Sequence, residues 1–363
     1  METDRTRRRL LRAAAAWALA QPIRAVGLAS TPGSALLGAW RRDGRDCVGI
    51  WQPGAGARGL EIPFRAHEVL VDRTRPQSAI AVARRPGEFL ARVDLASMEL
   101  ATLRGIDPEY VTNGHAVFSV DGRSLLVSES DVLTGAGMVG IYDTDTLGCH
   151  ARYSTFGIGP HALLCEPGGT LLVANSGVLT LPQSGRAKLN AGHIDASLVR
   201  LGADGRPLGQ WRLQDLNLSI RHLARARDGT VGIALQAEHM DASERERAPV
   251  FALFDGGSLR CVESAAPPLG GYGGDVACIE TAVGPLFAVG CTRAGAIALW
   301  DAEGRTRGAY ALRSACALSQ ERDTLIAPSE HGEVGFLAVD NSLTWSLSGG
   351  APSWDNHAVL WTG

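Results

Sequence analysis

A short sequence pattern recurs seven times along this chain. It begins with a polar residue, continues through an apolar run and a turn, and ends with a second apolar run, as in GPHALLCEPGGTLLVAN over residues 159–175. Both runs have the length of a strand and are bounded by turn residues, so each copy predicts an antiparallel hairpin. The copies begin at His67, His115, His161, His222, Asp275, Cys316 and His357.

The spacing of these copies constrains the fold. Successive intervals are 48, 46, 61, 53, 41 and 41 residues, and each has room for about four short strands. Repeats of this size are typical of a β-propeller, in which every blade is a four-stranded sheet. The 44 glycines and the lack of helical periodicity after residue 20 agree with an all-β chain. Seven starts therefore predict a seven-bladed β-propeller.

The two ends of the chain predict how the propeller ring closes. Only one strand's worth of residues follows the last start, at His357, whereas Ala35–Arg41, Cys47–Gln52 and Arg58–Phe64 indicate three strands before the first start. Combining them in one blade would leave no exposed sheet edge at the closure. We therefore expect residues 31–363 to form a single propeller.

The first 20 residues predict a targeting signal. Arginines at positions 7–9 and 12 precede the apolar segment Ala13–Ala20, which ends in an A-x-A site. This arrangement is typical of a twin-arginine signal peptide over residues 1–20, with an end that could extend to about residue 30, and it predicts a periplasmic protein. The alternative is a cytosolic protein with an amphipathic N-terminal helix.

Charge and hydropathy argue against two kinds of partner. Residues 1–20 carry five arginines and two acidic residues, so their removal would take the formal net charge from −3 to −6. A mildly acidic chain is a poor candidate for binding nucleic acid. No later segment approaches the ~18 consecutive apolar residues of a membrane helix, so we expect no membrane span.

Histidine is concentrated at one position of the repeat, which five of the nine histidines occupy. The first strand of each propeller blade lines the central channel, so residues at this position should meet around one axis. Imidazole is the commonest metal ligand near neutral pH, and it suits iron or copper. The pattern predicts a transition-metal site, iron or copper, with three or four of these side chains on one ion. The candidates are His67, His115, His161, His222 and His357, and the leading three are His115, His161 and His222.

An alternative is structural, with each histidine bonded to the backbone of a neighbouring blade. Further polar residues should surround the same channel mouth, because three excursions that follow second strands, Ser130–Gly137, Gly177–Ser197 and Glu238–Pro249, look long enough to overhang it. Arginine and lysine there could instead hold a carboxylate or phosphate. The candidate ligand-binding residues are Arg84, Arg85, Glu129, Asn175, Arg186, Lys188, Asn190, Arg221, Asp275, Asp355 and Asn356.

The sequence favours binding over catalysis. It has no G-x-S-x-G, H-E-x-x-H or C-x-x-C-H motif and therefore no recognisable nucleophile or haem site. One alternative is a lactonase-like hydrolase that places Glu129, Asn175 and Asp275 around a divalent cation. Another is a protein-interaction platform whose histidines are structural.

Several longer phrases resemble a known family. They are ARRPGEF at 83–89, GHAVFS at 114–119, GIGPH at 157–161, VANSG at 173–177, GRAKLN at 185–190, LSIRH at 218–222 and WDNH at 354–357. These phrases are similar to those of exported bacterial propellers, the domain of unknown function fifteen-thirteen. Its members are usually encoded beside imelysin-type periplasmic iron-uptake proteins and di-haem peroxidase-like oxidoreductases. The resemblance implies iron uptake or handling, with imelysin-type proteins as partners, and it implies no catalytic residue.

Overall fold

The computed structural model describes residues 35–185, 187–263, 268–339 and 343–362. Within these ranges the chain forms 28 strands, which make seven four-stranded antiparallel sheets. The prediction of an all-β, seven-bladed propeller is confirmed. The predicted signal peptide lies outside the described residues.

Each blade runs from an inner strand to an outer strand. The inner strands are β4 (Ala66–Val71), β8 (Tyr110–Phe118), β12 (Pro160–Cys165), β16 (Leu218–Arg225), β20 (Gly273–Thr281), β24 (Ser319–Glu321) and β28 (Trp354–Trp361). The second strands are β5 (Ser78–Ala83), β9 (Ser124–Asp131), β13 (Leu171–Asn175), β17 (Val231–Ala237), β21 (Gly284–Cys291), β25 (Thr324–Pro328) and β1 (Ala35–Arg42).

The third and outer strands complete the sheets. The third strands are β6 (Phe89–Asp94), β10 (Ala136–Asp143), β14 (Ser197–Leu201), β18 (Phe251–Phe254), β22 (Ala296–Asp301), β26 (Val334–Val339) and β2 (Arg45–Gln52). The outer strands are β7 (Glu99–Gly105), β11 (Cys149–Ile158), β15 (Pro207–Trp211), β19 (Leu259–Val262), β23 (Thr306–Ala311), β27 (Leu343–Ser348) and β3 (Gly56–Glu61). The helical pieces are α1 (Ala242–Arg247) and a 3-10 turn (Pro182–Ser184).

Burial changes from the second strand of a blade to its rim. The second strand β5, with sequence SAIAVA, is buried at every position because both faces of its sheet pack against neighbouring blades. Its sequence is therefore almost uniformly apolar rather than alternating. The outer strand β7, with sequence ELATLRG, is exposed at six of its seven positions. Its charged residues make that sheet edge a poor template for pairing with another chain.

The apolar core is divided among the blade interfaces. Seven clusters of buried residues occur, and each joins side chains from two adjacent blades. In one of them, Leu172 of β13 and Leu235 of β17 are both fully buried. Burying one such side chain stabilises the fold by about 1.5–3 kcal/mol. Each blade thus adds its own share of core, as in other repeat architectures.

The propeller ring closes as the chain ends predict. Strand β28 pairs with β1, so that Leu37 lies opposite Val359, and β2 and β3 complete the blade. The indole rings of Trp40 and Trp354 meet edge to face with their centroids 5.7 Å apart. Trp361 Nε1 donates a hydrogen bond of 2.7 Å to the carbonyl oxygen of Pro76 in the next blade. No helix in the part of the chain that the structure describes is long and apolar enough to cross a membrane.

Candidate metal centre

Each histidine at the repeat position lies at an irregularity of its inner strand. In β12, His161 and Ala162 together face one residue of β13, between the pairs Pro160–Asn175 and Leu163–Val173. The pairing register shifts in the same part of β4, β8, β16, β20 and β28. A β-bulge bends its strand and changes the direction of a side chain. The shared bulge explains locally why residues at this position turn toward the axis.

The five imidazoles form one cluster, which we call the histidine cluster: His67, His115, His161, His222 and His357. Their ring centroids form a closed circuit, and consecutive distances in that circuit are 4.3–4.9 Å. Four of these side chains are buried, and His161 is half-buried. All five residues that the sequence singled out as metal ligands therefore lie together.

Ligand atoms in the cluster lie close enough to share an ion. Three sets place one donor atom per residue within 4.8 Å of one another: His67, His115 and His357; His115, His161 and His222; and His222, Asp275 and His357. The Nε2 atoms of His67 and His115 are 3.2 Å apart. Two ligands with metal–nitrogen bonds of ~2.0–2.1 Å lie about 3.3 Å apart in tetrahedral coordination. The observed separation fits a shared metal ion, and without an ion it is a hydrogen-bond distance between the two rings.

Glu68 lies behind one side of the histidine cluster. Its Oε2 is 3.2 Å from Nδ1 of His115 and accepts a hydrogen bond of 2.9 Å from the backbone N–H of Ala116. A carboxylate on the second ring nitrogen orients a metal-binding imidazole and increases its basicity. Burial acts to raise the pKa of Glu68, but the contact with His115 outweighs it, so the pKa lies below its ordinary value. Sequence reasoning missed Glu68 because it follows the repeat position rather than occupying it.

Asp275 lies behind the opposite side. Its two carboxylate oxygens are 3.8 Å from Nδ1 of His222 and 3.5 Å from Nδ1 of His357. Backbone N–H groups of Val276 and Leu318 hold the same carboxylate at 2.8 and 2.9 Å. Asp275 occupies the repeat position of its blade, so it can serve either as a ligand or as the group that orients two ligands.

Burial keeps most of these imidazoles neutral. Desolvation, with smaller contributions from neighbouring imidazoles, lowers the pKa of His67, His161 and His222 well below the ordinary value. Desolvation also lowers the pKa of His115, although Glu68 opposes the shift. Desolvation acts in the same direction at His357, but Asp275 outweighs it and raises that pKa. Neutral imidazole is the form that binds metal, so most of the cluster is ready to coordinate an ion near neutral pH.

Several ring nitrogens have no hydrogen-bond partner. They are Nδ1 of His67, Nδ1 of His161 and Nε2 of His357, and all three are buried. An unsatisfied buried polar atom costs about 1–3 kcal/mol. Among the described residues, no ring nitrogen of the cluster bonds to a backbone carbonyl. This geometry does not match the structural alternative, in which the backbone of a neighbouring blade would hold each histidine.

The blade that begins with β24 interrupts the pattern. Its repeat position holds Cys316, whose Sγ lies 3.2 Å from the carbonyl oxygen of Asp355. Burial raises the pKa of this thiol well above its ordinary value, so the thiolate needed for metal binding is disfavoured. None of the three ligand sets includes Cys316. The centre is therefore formed by the six other blades.

A cavity of about 400 Å³ opens on one side of the histidine cluster. His67, His161 and His222 contribute to its wall, and strands and loops of six blades line it. The excursion after β13 reaches over it with Leu181 and Lys188. The expectation that loops after second strands surround the channel mouth therefore holds for this excursion and for the one after β17, which contributes Glu238.

The prediction of a long third excursion, Ser130–Gly137, is wrong. Strand β9 continues to Asp131 and β10 begins at Ala136, so a short turn joins them. The Asp131 carboxylate accepts hydrogen bonds from the backbone N–H groups of Leu133 and Thr134 at 3.0 and 2.8 Å. An aspartate that caps its own turn in this way makes a longer loop unnecessary.

Several of the predicted ligand-binding residues line the cavity, and two carboxylates, one in its wall and one behind it, pair with cations. Asp355 accepts hydrogen bonds from Arg65 at 2.5 Å and from Arg84 at 2.9 Å, and Asn356 Oδ1 accepts another from Arg84 at 3.0 Å. Glu238 forms ion pairs with Lys188 and with Arg221, the latter at 3.2 Å. The lining residues from the predicted set are Arg84, Arg85, Lys188, Arg221 and Asn356.

Other predicted residues lie elsewhere. Glu129 is fully buried within its own blade, where it accepts hydrogen bonds from the hydroxyl of Tyr142 and from Arg152 Nε, the latter at 2.8 Å. Asn175 Nδ2 donates to the carbonyl oxygen of Thr155 at 3.0 Å. Neither Glu129 nor Asn175 lines the cavity, so the lactonase-like set does not assemble there.

Two loop residues complete the set. Asn190 holds the excursion after β13 together, because its Nδ2 donates to the carbonyl oxygen of Gly177 at 2.7 Å and its Oδ1 accepts from the N–H of Leu179 at 2.8 Å. It therefore shapes the loop that carries Lys188. Arg186 lies outside the described residues.

The fold and this geometry define a class: a seven-bladed propeller with a buried cluster of imidazoles beside a cavity at its channel mouth. The sequence profile of the family described as "Protein of unknown function (DUF1513)" matches residues 60–361. The chain therefore belongs to the DUF1513 family, as the resemblance in its sequence phrases indicated. No protein with a curated description matches this sequence.

Solved structures with the same architecture include proteins of unrelated function. A functionally unknown protein from Desulfotomaculum acetoxidans is similar with a TM-score of 0.59 at 8% identity, over 89% of this chain and 98% of that one. Hydrazine synthase from Kuenenia stuttgartiensis gives 0.58 at 13% identity, over 85% and 96%. Virginiamycin B lyase from Staphylococcus aureus gives 0.57 at 8% identity, over 84% and 94%. These similarities show the fold alone.

Proposed function

We propose that this protein is a periplasmic propeller that binds a transition metal, iron or copper, at the histidine cluster and serves in iron uptake or handling. The observation that supports it is the close approach of buried imidazole nitrogens, three of which have no hydrogen-bond partner. The role would be to capture an ion or to receive it from a metal-carrying partner. The sequence resemblance suggests imelysin-type proteins as those partners.

The charges around the cluster suit a divalent cation. Imidazoles that stay neutral when buried add no positive charge, and two carboxylates, Glu68 and Asp275, lie behind them. A divalent ion bound by neutral imidazoles would be balanced by these two carboxylates, so its charge would not remain uncompensated in a buried site. Metal binding would also release the proton that Asp275 favours on His357, since coordination requires neutral imidazole.

Export by the twin-arginine route is part of the proposal. It rests on the arginines and the apolar segment within residues 1–20 and on the similarity to exported propellers. Fractionation of the natural host with an antibody to the protein tests it. We expect the protein in the periplasmic fraction, and Arg7→Lys with Arg8→Lys should retain it in the cytoplasm.

Metal analysis tests the central claim. The full chain is purified after export from its natural host, and its iron and copper contents are measured by inductively coupled plasma mass spectrometry. We expect about one ion per chain in the wild type and a large loss in His115→Ala and His161→Ala, because both residues belong to one ligand set. His193→Ala, an exposed histidine in the excursion after β13, is the matched control and should retain the metal. Equal metal in wild type and His115→Ala, or none in the wild type, would refute the proposal.

A further inference from the structure

The cavity beside the histidine cluster carries an excess of positive charge. Five cationic side chains line it, whereas Glu238 is the one carboxylate among its lining residues in the described part of the chain. Asp355 lies behind Arg84 and is shared with Arg65. The lining cations are Arg84, Arg85, Lys188, Arg221 and Arg293. A concave surface of one charge sign concentrates ligands of the opposite sign.

Arg221 shows that this charge is not fully used within the protein. Its side chain is only 8% exposed, and it shares Glu238 with Lys188. Its Nε is buried and has no hydrogen-bond partner. A guanidinium offers donors in a planar fork that suits a carboxylate. A guanidinium that lines a cationic cavity and shares its one carboxylate with a lysine is well placed to bind an anionic ligand with oxygen acceptors.

The size and position of the cavity narrow the ligand class. Its volume of about 400 Å³ falls in the range of small-molecule sites, roughly 300–1,000 Å³. The same cavity is walled by His67, His161 and His222, so a ligand in it would contact the histidine cluster and the cations together. An anion with several carboxylates could interact with both the cations and the histidine cluster. Some of its carboxylates would pair with arginine while others hold a metal.

We propose that this cavity binds a small polycarboxylate anion and that the metal reaches the histidine cluster as the anionic chelate of that ligand. The second half rests on the proposed metal function, whereas the first half stands on the cavity alone. On this view the arginines recognise the carrier and the imidazoles receive the ion.

Citrate is a suitable probe, and isothermal titration calorimetry on the metal-free full chain measures its binding. We expect Arg293→Gln and Arg221→Gln each to weaken binding by roughly tenfold, since each loses one charge-assisted contact. Glu238→Gln should strengthen binding by a similar factor, because it frees Lys188 and Arg221 from their competing carboxylate. Misfolding cannot explain a gain of affinity. Arg260→Gln, which lines a separate cavity at the outer rim, is the control and should bind as the wild type does.

Three titrants separate this inference from the proposed function: citrate, Cu(II), and their 1:1 complex. We expect the wild type to bind the complex more tightly than citrate alone. His115→Ala, which belongs to two of the ligand sets but is not among the residues that line the cavity, should lose that increment but keep its affinity for citrate, whereas Arg293→Gln should lose affinity for citrate but still bind Cu(II). No citrate binding by the wild type, or equal binding by Arg293→Gln, Arg221→Gln and Glu238→Gln, would overturn the anion site. A complex that binds no tighter than citrate would overturn delivery as a chelate.

Discussion

Two buried groups of ionisable side chains in this propeller differ in how they are satisfied. In the blade of β8–β11, Glu129 accepts hydrogen bonds from Tyr142 and Arg152, and the Arg152 guanidinium lies 4.0 Å from the centroid of the Tyr110 ring. Both Glu129 oxygens and the Tyr142 hydroxyl are paired there, and Arg152 Nη2 is the one buried side-chain atom of this group without a partner. In the histidine cluster, five blades contribute one imidazole each, and three ring nitrogens have no partner. Burial alone therefore does not mark a binding site.

The difference lies in which partners the fold provides. The Glu129 group contains opposite charges that neutralise one another, as expected of a group that stabilises its own blade. The histidine cluster brings like groups together, and adjacent imidazoles cannot all become charged in a buried space. An arrangement that lacks internal partners is better explained by a ligand that supplies them. Four experiments can break or sharpen this contrast.

Metal addition should give the largest effect. A ligand that binds only the folded state stabilises it, by about 4 kcal/mol at a free concentration 1,000 times its Kd. We expect Cu(II) to raise the free energy of unfolding of the metal-free protein by that order in urea titrations. The same increment should appear in Glu129→Leu but not in His115→Ala. An equal increment in His115→Ala would place the metal elsewhere.

Replacing Glu129 should destabilise the fold without affecting metal. Glu129→Leu leaves the Arg152 charge without its carboxylate, and removing one partner of a buried pair costs about 3–5 kcal/mol. Because Arg152 is 16% exposed, we expect a loss of about 2–4 kcal/mol after allowing for partial solvation. His161→Leu in the metal-free protein should change stability by less than about 1 kcal/mol, since it removes an unsatisfied group. Metal content should be retained in Glu129→Leu and lost in His161→Leu. Similar losses of stability in both variants would contradict the difference between the two buried groups.

Glu68 should act as a positioning residue. Glu68→Gln keeps the shape of the side chain but removes the charge beside His115 Nδ1. Loss of such a carboxylate typically weakens metal affinity by 10–100-fold, about 1.4–2.7 kcal/mol. We expect that loss in a competition assay with a metal chelator, and the pH at which protons displace the metal should fall, because the Glu68 carboxylate raises the pKa of His115 and the amide does not. Glu61→Gln, on the exposed outer strand β3, is the control, and affinity equal to wild type in Glu68→Gln would exclude the positioning role.

Acid should destabilise the metal-free protein. The unfolded chain takes up protons near the ordinary histidine pKa of about 6.5, whereas burial lowers the pKa of His67, His115, His161 and His222 in the fold. Stability is therefore lost as pH falls below about 6.5. The raised pKa of His357 has the opposite sign, because it adds stability below 6.5 that disappears as pH rises through the folded value. Because the pKa is lowered in four of these histidines and raised in one, the expected net result is a loss of stability in acid.

The size of this pH effect can be checked with one substitution. His161→Leu should reduce the slope of unfolding free energy against pH by up to about 1.4 kcal/mol per pH unit, which corresponds to one proton. Urea titrations at pH 5 to 7 would measure the slope, with His193→Gln as the exposed control. An unchanged slope in His161→Leu would show that this imidazole is not held neutral by burial.

The fold could be predicted because its signal is periodic. Seven copies of one pattern fix the number of blades, and the missing strands at the two ends of the chain fix the closure. The positions of the five histidines follow from the same periodicity, since equal phase in a propeller means equal distance from the axis. No knowledge of side-chain packing was needed for either result.

The rest of the site depends on local register, which the pattern does not contain. Asn175 ends its second strand and Glu129 lies two residues before the end of another, yet a strand alternates its faces, so a small change in register directs a side chain away from the channel. Glu68 and Arg293 belong to the centre and the cavity only because of a bulge and a turn. In the sequence, Glu68 could have been found as a carboxylate next to a histidine at the repeat position. Arg293 could have been found as a cation at the start of the loop that follows a second strand.

One consequence follows from the closure of the propeller ring by β28 and β1. His357 belongs to the closing blade and His67 to the blade after it, so the two ends of the folded chain supply neighbouring imidazoles. No fragment that lacks either end can present the full set of donors. On the proposed function, metal affinity would report whether the toroid has been completed, and a truncated or misassembled copy would lack the full set of ligands.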